Sequence, residues 1–307
     1  MEIIHGLDKI NVTSPSVVTV GTFDGVHLGH KKIIDELVSI TKNENFTSTL
    51  LTFEPHPKAV VQKSSQNKVF ILTNLEEKLH ILQKIGLQRV VIIKFTREFS
   101  EISYKNFVAD VLVNKLLTKS MVVGYDHGFG RDRSGKFHEL EKLSKKNNFH
   151  LKQIDPFKIA EETISSTLIR KLISEGDVSR AATMLGRHFS INGIIVKGDG
   201  RGKKLSFPTV NLAIENHAKI IPYDGVYTVE CILDNKTYRG MANIGIKPTF
   251  GGLKKTVEVH IFDFSKDVYG EKIAVNFIKR IRDEKKFDSE HKLIQQLEKD
   301  KEISYKI

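Results

Sequence analysis

One cysteine, Cys231, stands in a chain of 307 residues, so no internal disulfide is available and the fold must rest on its own hydrophobic cores. The N-terminus lacks a basic segment followed by an apolar run, and with the lone cysteine this predicts a reducing cytoplasm and no export. No apolar run approaches membrane-spanning length, which predicts a soluble chain with no membrane partner. There is no long basic tail, no RNA-binding array of aromatic and basic residues, no internal repeat and no low-complexity segment. The formal charge is nonetheless +11 and the pI about 9.4, a balance that suits nucleic acid, a membrane surface or small polyanions. The lysines are dispersed, as at Lys142, Lys145 and Lys146, and most form a solvated basic surface. We therefore expect no nucleic-acid partner, with nucleotides the best specific ligands for the remaining charge. The hydrophobic content of 40% is ordinary for a globular protein, and 307 residues suffice for two domains with separate cores.

The most informative stretch runs from Gly21 through Thr22, Phe23, Asp24, Gly25, Val26, His27, Leu28 and Gly29 to His30. Val17 to Val20 before it is short, apolar and β-branched, and Ile33, Ile34, Leu37 and Val38 after it recur at helical spacing. The motif thus spans a strand, a glycine-rich turn and a helix start, where unpaired backbone N–H groups and the helix dipole favour phosphate. His27 and His30, one turn apart, share a side of that helix. An isolated His-x-x-His would be incidental; the glycines make it a site. Two imidazoles so spaced could also share a metal, but Asp24 is the nearby carboxylate and the chain offers one cysteine, so phosphate is preferred over zinc.

From residue 17 to about 155, strand-like runs alternate with amphipathic segments: Val17 to Val20, Thr49 to Phe53, Leu87 to Phe95, Met121 to Val123 and His150 to Ile154 against Leu75 to Ile85 and Tyr104 to Leu117. This predicts a parallel sheet with helices on its faces, with ligands beyond the carboxyl ends of the strands. The His27 motif, Glu54 to Pro57 and Gly124 to Gly130 would all emerge there. Ser165 to Ser174 and Asp177 to Leu185 read as two short helices. Past Gly186 the pattern becomes strands, Ser190 to Val196, Phe207 to Leu212, Val226 to Leu233, Thr237 to Ile244, Thr256 to Phe264 and Ile273 to Ile281, separated by turns such as Asp224-Gly225 and Asp234-Asn235. A compact antiparallel barrel follows, closed by an amphipathic helix over Ser289 to Lys299 with Leu293 and Leu297 on its apolar face. The expected division is 1–185 and 186–307.

Nearly the whole chain resembles the bacterial bifunctional riboflavin kinase and FAD synthetase family. The resemblance is carried in the first half by GTFDGVHLGH (21–30), TFEPHP (52–57), VVGYDHGFGRDRSG (122–135) and ISSTLIR (164–170). In the second half it is carried by GDGRGKKLSFPTVN (198–211), DGVY (224–227), ANIGIKPTFGG (242–252) and VEVHIFDF (257–264). It implies a Rossmann-like nucleotidyltransferase domain, which adenylylates FMN to FAD, followed by a riboflavin kinase barrel, each using ATP and Mg2+. Riboflavin, FMN and ATP are then the small-molecule partners, FMN and FAD the products, and oligomeric state is left open.

For adenylyl transfer no covalent nucleophile is needed, only groups that stabilise the triphosphate. His27 and His30 fit as catalytic groups, with Gly21, Phe23, Asp24, Ser166, Thr167 and Arg170 completing the ATP and phosphate site. The Ser165 to Thr167 run alone would be a plain helix cap; paired with the histidines it reads as a phosphate clamp. The resemblance adds Asp126 and Phe129, and with them His56, to a flavin and ATP pocket, although Glu54 to Pro57 would serve equally as a rigid exit from its strand. In the second half Gly198, Gly200 and Gly202 leave backbone free to wrap phosphate, beside Lys203 and Lys204. By resemblance Thr209 and Asn211 hold Mg2+ and nucleotide phosphates, Glu258 is the catalytic glutamate, and Arg282 and Phe287 belong to a flap over flavin. This chain has Ser206 and Val210 where the family usually shows Gly and Ala, and His127 and Gly128 where relatives carry an aromatic and a larger polar residue. The rivals are a nucleotidyltransferase with another phosphorylated acceptor, and a basic RNA-binding or regulatory protein that keeps the fold without catalysis.

Overall fold

The structure, a computed structural model, describes residues 1–62, 69–128, 135–198, 205–249 and 252–307. It divides into two compact units, Met1–Ser166 and Thr167–Ile307.

The first unit is built on six parallel strands: β1 (Glu2–His5), β2 (Ser16–Val20), β3 (Thr47–Glu54), β4 (Arg89–Lys94), β5 (Thr118–Gly124) and β6 (His150–Ile154), in the order β1-β4-β3-β2-β5-β6. Every residue of β2 is buried, as a central parallel strand requires. Successive side chains go to opposite faces. Val17, Leu50, Val90 and Val122 join Ile33, Ile34 and Leu37 of α1 (Leu28–Asn43) and Leu82 of α3 (Leu75–Lys84) in one core. Val18, Leu51, Val91 and Met121 pack on the other face against Val111, Leu112 and Leu140. Between β3 and α3 lies the short α2 (Pro57–Val61), and after β4 the short α4 (Arg97–Ser100).

Two elements differ from expectation. The segment read as one α-helix over Tyr104 to Leu117 is α-helical only at α5 (Tyr104–Asn106) and then widens over Phe107–Lys115, where the Leu116 N–H reaches back five residues to the Val111 carbonyl at 3.0 Å. Strand β1 has no counterpart in the sequence reading because only Ile4 of its four residues is buried, which leaves no alternation to detect. Helix α6 (Phe137–Asn147) precedes β6, and a hairpin of β7 (Lys158–Ile159) and β8 (Glu162–Thr163) follows it.

In the second unit α7 (Ser166–Ser174) buries Ile169, Leu172 and Ile173, and α8 (Val178–Leu185) runs from its Asp177 cap to Gly186 at φ 71°. Helix α8 packs on strands of the barrel, so these helices belong by packing with Thr167–Ile307, whereas the sequence groups them with the first half. The barrel closes in the order β10-β13-β12-β11-β14-β9, all pairs antiparallel, from β9 (Phe189–Val196), β10 (Val210–Ala213), β11 (Gly225–Leu233), β12 (Lys236–Thr249), β13 (Gly252–Ile261) and β14 (Lys272–Arg282). Asp234 and Asn235, at φ 49° and 59°, make the two-residue turn from β11 to β12.

The strand expected from Phe207 starts only at Val210, because Ser206 is left-handed at φ 62° and Pro208 has no N–H to give a ladder. Helix α9 (Glu290–Lys306), capped by Ser289, extends past the expected Lys299. Leu297 and Ile294 pack against Phe207, Met241 and Phe262, with Leu293 half-buried beside them.

Candidate functional site

The strand order of the first unit reverses beside β2, whose neighbours are β3 and β5. The exits of three adjacent strands, the Gly21 turn, Glu54 to Pro57 and the segment after Gly124, therefore share one end of the sheet, where parallel sheets bind ligands. The turn is wound tightly: Phe23, Gly25 and Val26 have φ of 46°, 84° and 38°, and only the glycine adopts such values without strain.

His27 caps α1, its Nδ1 accepting the His30 N–H at 3.2 Å. That bond leaves Nε2 as the protonated nitrogen of the neutral ring. His27 is 6% exposed. The His27 and His30 rings stack at 3.6 Å with planes 15° apart, and Phe23 stacks on His30 at 4.6 Å. A Cβ at Gly29 would come within 3.2 Å of the His27 ring, so this glycine makes room for the stack.

Asp24 is 2% exposed, and its carboxylate accepts the N–H groups of Leu72 at 2.9 Å and Thr73 at 3.1 Å. The sequence groups it with phosphate ligands, and in the structure its oxygens fasten the turn to the segment that leads into α3. Thr73 Oγ1 in turn accepts the Gly25 N–H at 3.0 Å. Ser166 Oγ donates to the Asp24 carbonyl at 2.9 Å. Lys78, which sequence reasoning missed, is 5% exposed and donates from Nζ to the Thr22 carbonyl at 2.8 Å. Its signal was a lysine among Leu75, Leu79 and Leu82, on what should be the apolar face of α3. Burial pushes its pKa below the ordinary lysine value, against the pull of Asp24 and Glu54.

His56 caps α2, its Nδ1 accepting the Lys58 N–H at 3.2 Å, and the Glu54–Pro55 peptide is cis. Asp126 is exposed just beyond Gly124. Thr167 and Arg170 lie on α7 in the second unit, exposed and half-buried respectively. Phe129 lies outside the described residues.

The second candidate site is a row across three barrel strands. Asn211 of β10 pairs with Glu258 of β13, which pairs with Asn243 of β12. Val257 and Val259 fill the barrel interior, so the half-buried Glu258 projects outward, on the face that carries α9. Thr209 and Asn211, both half-buried, present a hydroxyl and an amide oxygen beside it. A Cβ at Gly198 would overlap the Asn211 amide, so a larger residue there would displace that side chain. Gly200, Gly202 and Lys203 lie outside the described residues.

After β14 the chain folds back over the row. Asn243 Nδ2 donates to Glu284 Oε1 at 3.1 Å, and the Phe287 ring lies 5.9 Å from the Arg282 guanidinium. Arg282 grips the Asp300 carboxylate through Nε at 3.0 Å and Nη2 at 2.7 Å, and Gln296 adds a third donor at 2.9 Å. Asp300 is 0% exposed. His260 Nδ1–H donates to the Pro208 carbonyl at 2.7 Å, with the ring between Phe207 and Phe262. Burial lowers its pKa, and Lys301 adds to the effect, while the Pro208 bond and Asp263 oppose it. Asp300 carried no motif signal, and His260, although inside the VEVHIFDF motif, has no role in the sequence reading. Among the described residues no three His, Cys, Asp or Glu side chains form a metal cluster.

Comparison with known proteins agrees with this division. Residues 9–168 match the family model described as FAD synthetase, and residues 185–307 match the one described as riboflavin kinase. A bifunctional riboflavin kinase/FMN adenylyltransferase of Buchnera aphidicola subsp. Schizaphis graminum is 39% identical over 98% of this chain and 96% of its own. The protein of that name from Bacillus subtilis is 35% identical over 94% of this chain and 90% of its own. A crystal structure from Streptococcus pneumoniae, titled as a macrolide-efflux protein, superposes with a TM-score of 0.92 at 30% identity, covering 99% of both chains. Among the described residues no helix is long and apolar enough to cross a membrane.

Proposed function

The chain belongs to the family of bifunctional riboflavin kinase/FMN adenylyltransferases, and from that premise we propose which of its residues carry each reaction. The protein phosphorylates riboflavin with ATP to FMN and adenylylates FMN with ATP to FAD and pyrophosphate. As working units we assign adenylyl transfer to residues 1–185 and the kinase to 186–307.

In adenylyl transfer the phosphate of FMN attacks the α-phosphorus of ATP in line, and pyrophosphate leaves. The chain must bind and neutralise the triphosphate where charge shifts onto the leaving group. The stacked pair His27 and His30 at the first turn of α1 supplies ring N–H donors beside free backbone N–H groups, and this stack is the observation that carries the assignment. Gly21 and Phe23 shape the turn, Asp24 and Ser166 fasten it, and Thr167 and Arg170 add a hydroxyl and a charge to the polyphosphate. His56, Asp126 and Phe129 are assigned to the flavin and ATP pocket.

In the kinase reaction Glu258 accepts a hydrogen bond from the ribityl hydroxyl and takes its proton as that oxygen attacks the γ-phosphorus. Thr209 and Asn211 offer the hard oxygen donors that suit Mg2+, and the close approach of Asn211 to Gly198 sets such a donor against free backbone. The ion, when bound, neutralises charge on the phosphates. Gly198, Gly200, Gly202 and Lys203 cradle those phosphates, and Arg282 and Phe287 cover the flavin. The single buried cysteine, Cys231, supports a cytoplasmic location.

The test is to separate the activities. Glu258→Ala should lose riboflavin phosphorylation by about 10²-fold or more while FMN supplied directly still becomes FAD, and His30→Ala should do the reverse. Loss of both activities in either folded variant would refute the division of labour.

A further inference from the structure

The stretch from Leu72 to Lys78 wraps the glycine-rich turn. At one end Leu72 and Thr73 donate to the Asp24 carboxylate, and Thr73 accepts the Gly25 N–H. A reciprocal capping box follows, with Asn74 Oδ1 accepting the Glu77 N–H at 2.8 Å and Glu77 Oε2 accepting the Asn74 N–H at 3.0 Å. That box fixes the first turn of α3, and the next residue, Lys78, donates to the Thr22 carbonyl and closes the loop on the other side of Phe23. The strained residues Phe23 and Val26 are thus held by one short segment.

Lys78 is an unusual clamp. An ammonium carries three N–H donors, and among the described residues its hydrogen bond is to Thr22 and no carboxylate lies within ion-pair distance. Burying a cation so incompletely compensated disfavours folding. Nor does the Thr22 carbonyl depend on it, since Thr52 Oγ1 also donates to that oxygen at 3.2 Å. A neutral side chain would hold the fold as well, so the charge is retained for another purpose.

We propose that Lys78 is a positioning residue for adenylyl transfer, whose buried ammonium at the Thr22 carbonyl favours polyphosphate charge at the adjoining turn. The proposal rests on the assignment of the Gly21–His30 turn to ATP. The groups that face the ammonium are Asp24 from the turn and Glu54 from β3, with Glu77 its neighbour on α3. Because its folded pKa lies below the unfolded value, the unfolded chain binds the extra proton at intermediate pH, and the charged lysine lowers stability there.

Lys78→Met should therefore melt no lower than the native protein while adenylyl transfer from FMN and ATP falls about 10²-fold, with riboflavin phosphorylation in the same sample unchanged. The native enzyme should lose adenylyl transfer at alkaline pH as Lys78 deprotonates, and the residual activity of the variant should lack that limb. Adenylyl transfer within about twofold of native overturns the proposal, as does a loss matched by a fall in melting temperature, which marks a structural role. His30→Ala, run beside it, separates the premises: loss there with none in Lys78→Met sinks Lys78 alone, and no loss in either sinks the ATP assignment of the turn as well.

Discussion

Asp300→Ala probes the coupling of α9 to the flap more directly than any change at the flap itself. Asp300 is fully buried and accepts from Arg282 Nε and Nη2 and from Gln296. Its removal leaves a largely buried guanidinium without its counterion, a loss of about 3–5 kcal/mol when one partner of a buried pair is deleted. For a domain of this size about 2–4 °C accompanies each kcal/mol, so the transition of the second unit should fall by about 6–20 °C. Arg282, released, no longer presents the face on which Phe287 lies, and the KM for riboflavin should rise while FMN adenylylation is unchanged. Calorimetry with both assays reads these effects. The double variant Arg282→Met, Asp300→Ala should be less destabilised than Asp300→Ala alone, since it buries no unpaired charge. A shift below about 2 °C in the single variant would refute the reasoning.

Gly198→Ala should abolish riboflavin phosphorylation with little effect on adenylyl transfer, because the added Cβ would overlap the Asn211 amide; an active kinase would show that this close approach is not needed. The depressed pKa of His260 makes the second unit pH-sensitive. The unfolded histidine takes up a proton that the folded one resists, so stability should be full above the ordinary histidine pKa and decline as pH falls through it towards the folded value. His260→Gln should flatten that decline in melting temperature, and an unchanged slope would assign it to other groups.

Much of the architecture was legible. The buried β-branched run at β2, the glycine turn and the period of α1 are local signals, and strand β6 is legible over its full length between Asn148, which tolerates positive φ, and Asp155-Pro156. Asp234-Asn235 announced a hairpin turn through two residues that tolerate positive φ. Other features are set by contacts distant in sequence. Asp300 looks like a solvated charge, in a run with Lys299 and Lys301, until tertiary packing closes over it, and Lys78, though set on the apolar face of α3, meets the Thr22 carbonyl only in the fold. The start of β10 depends on the left-handed Ser206 and on Pro208, whose carbonyl is claimed by His260 from another strand. The packing of α8 on the barrel is likewise a property of a packed face, since the helix carries an ordinary amphipathic pattern.

The most direct measurement is a time course of the purified protein with riboflavin, ATP and Mg2+, with riboflavin, FMN and FAD resolved by chromatography. The account predicts that FMN rises first and FAD follows at its expense. A folded sample that converts no riboflavin, or that accumulates FMN and never forms FAD even when FMN is supplied, would contradict it.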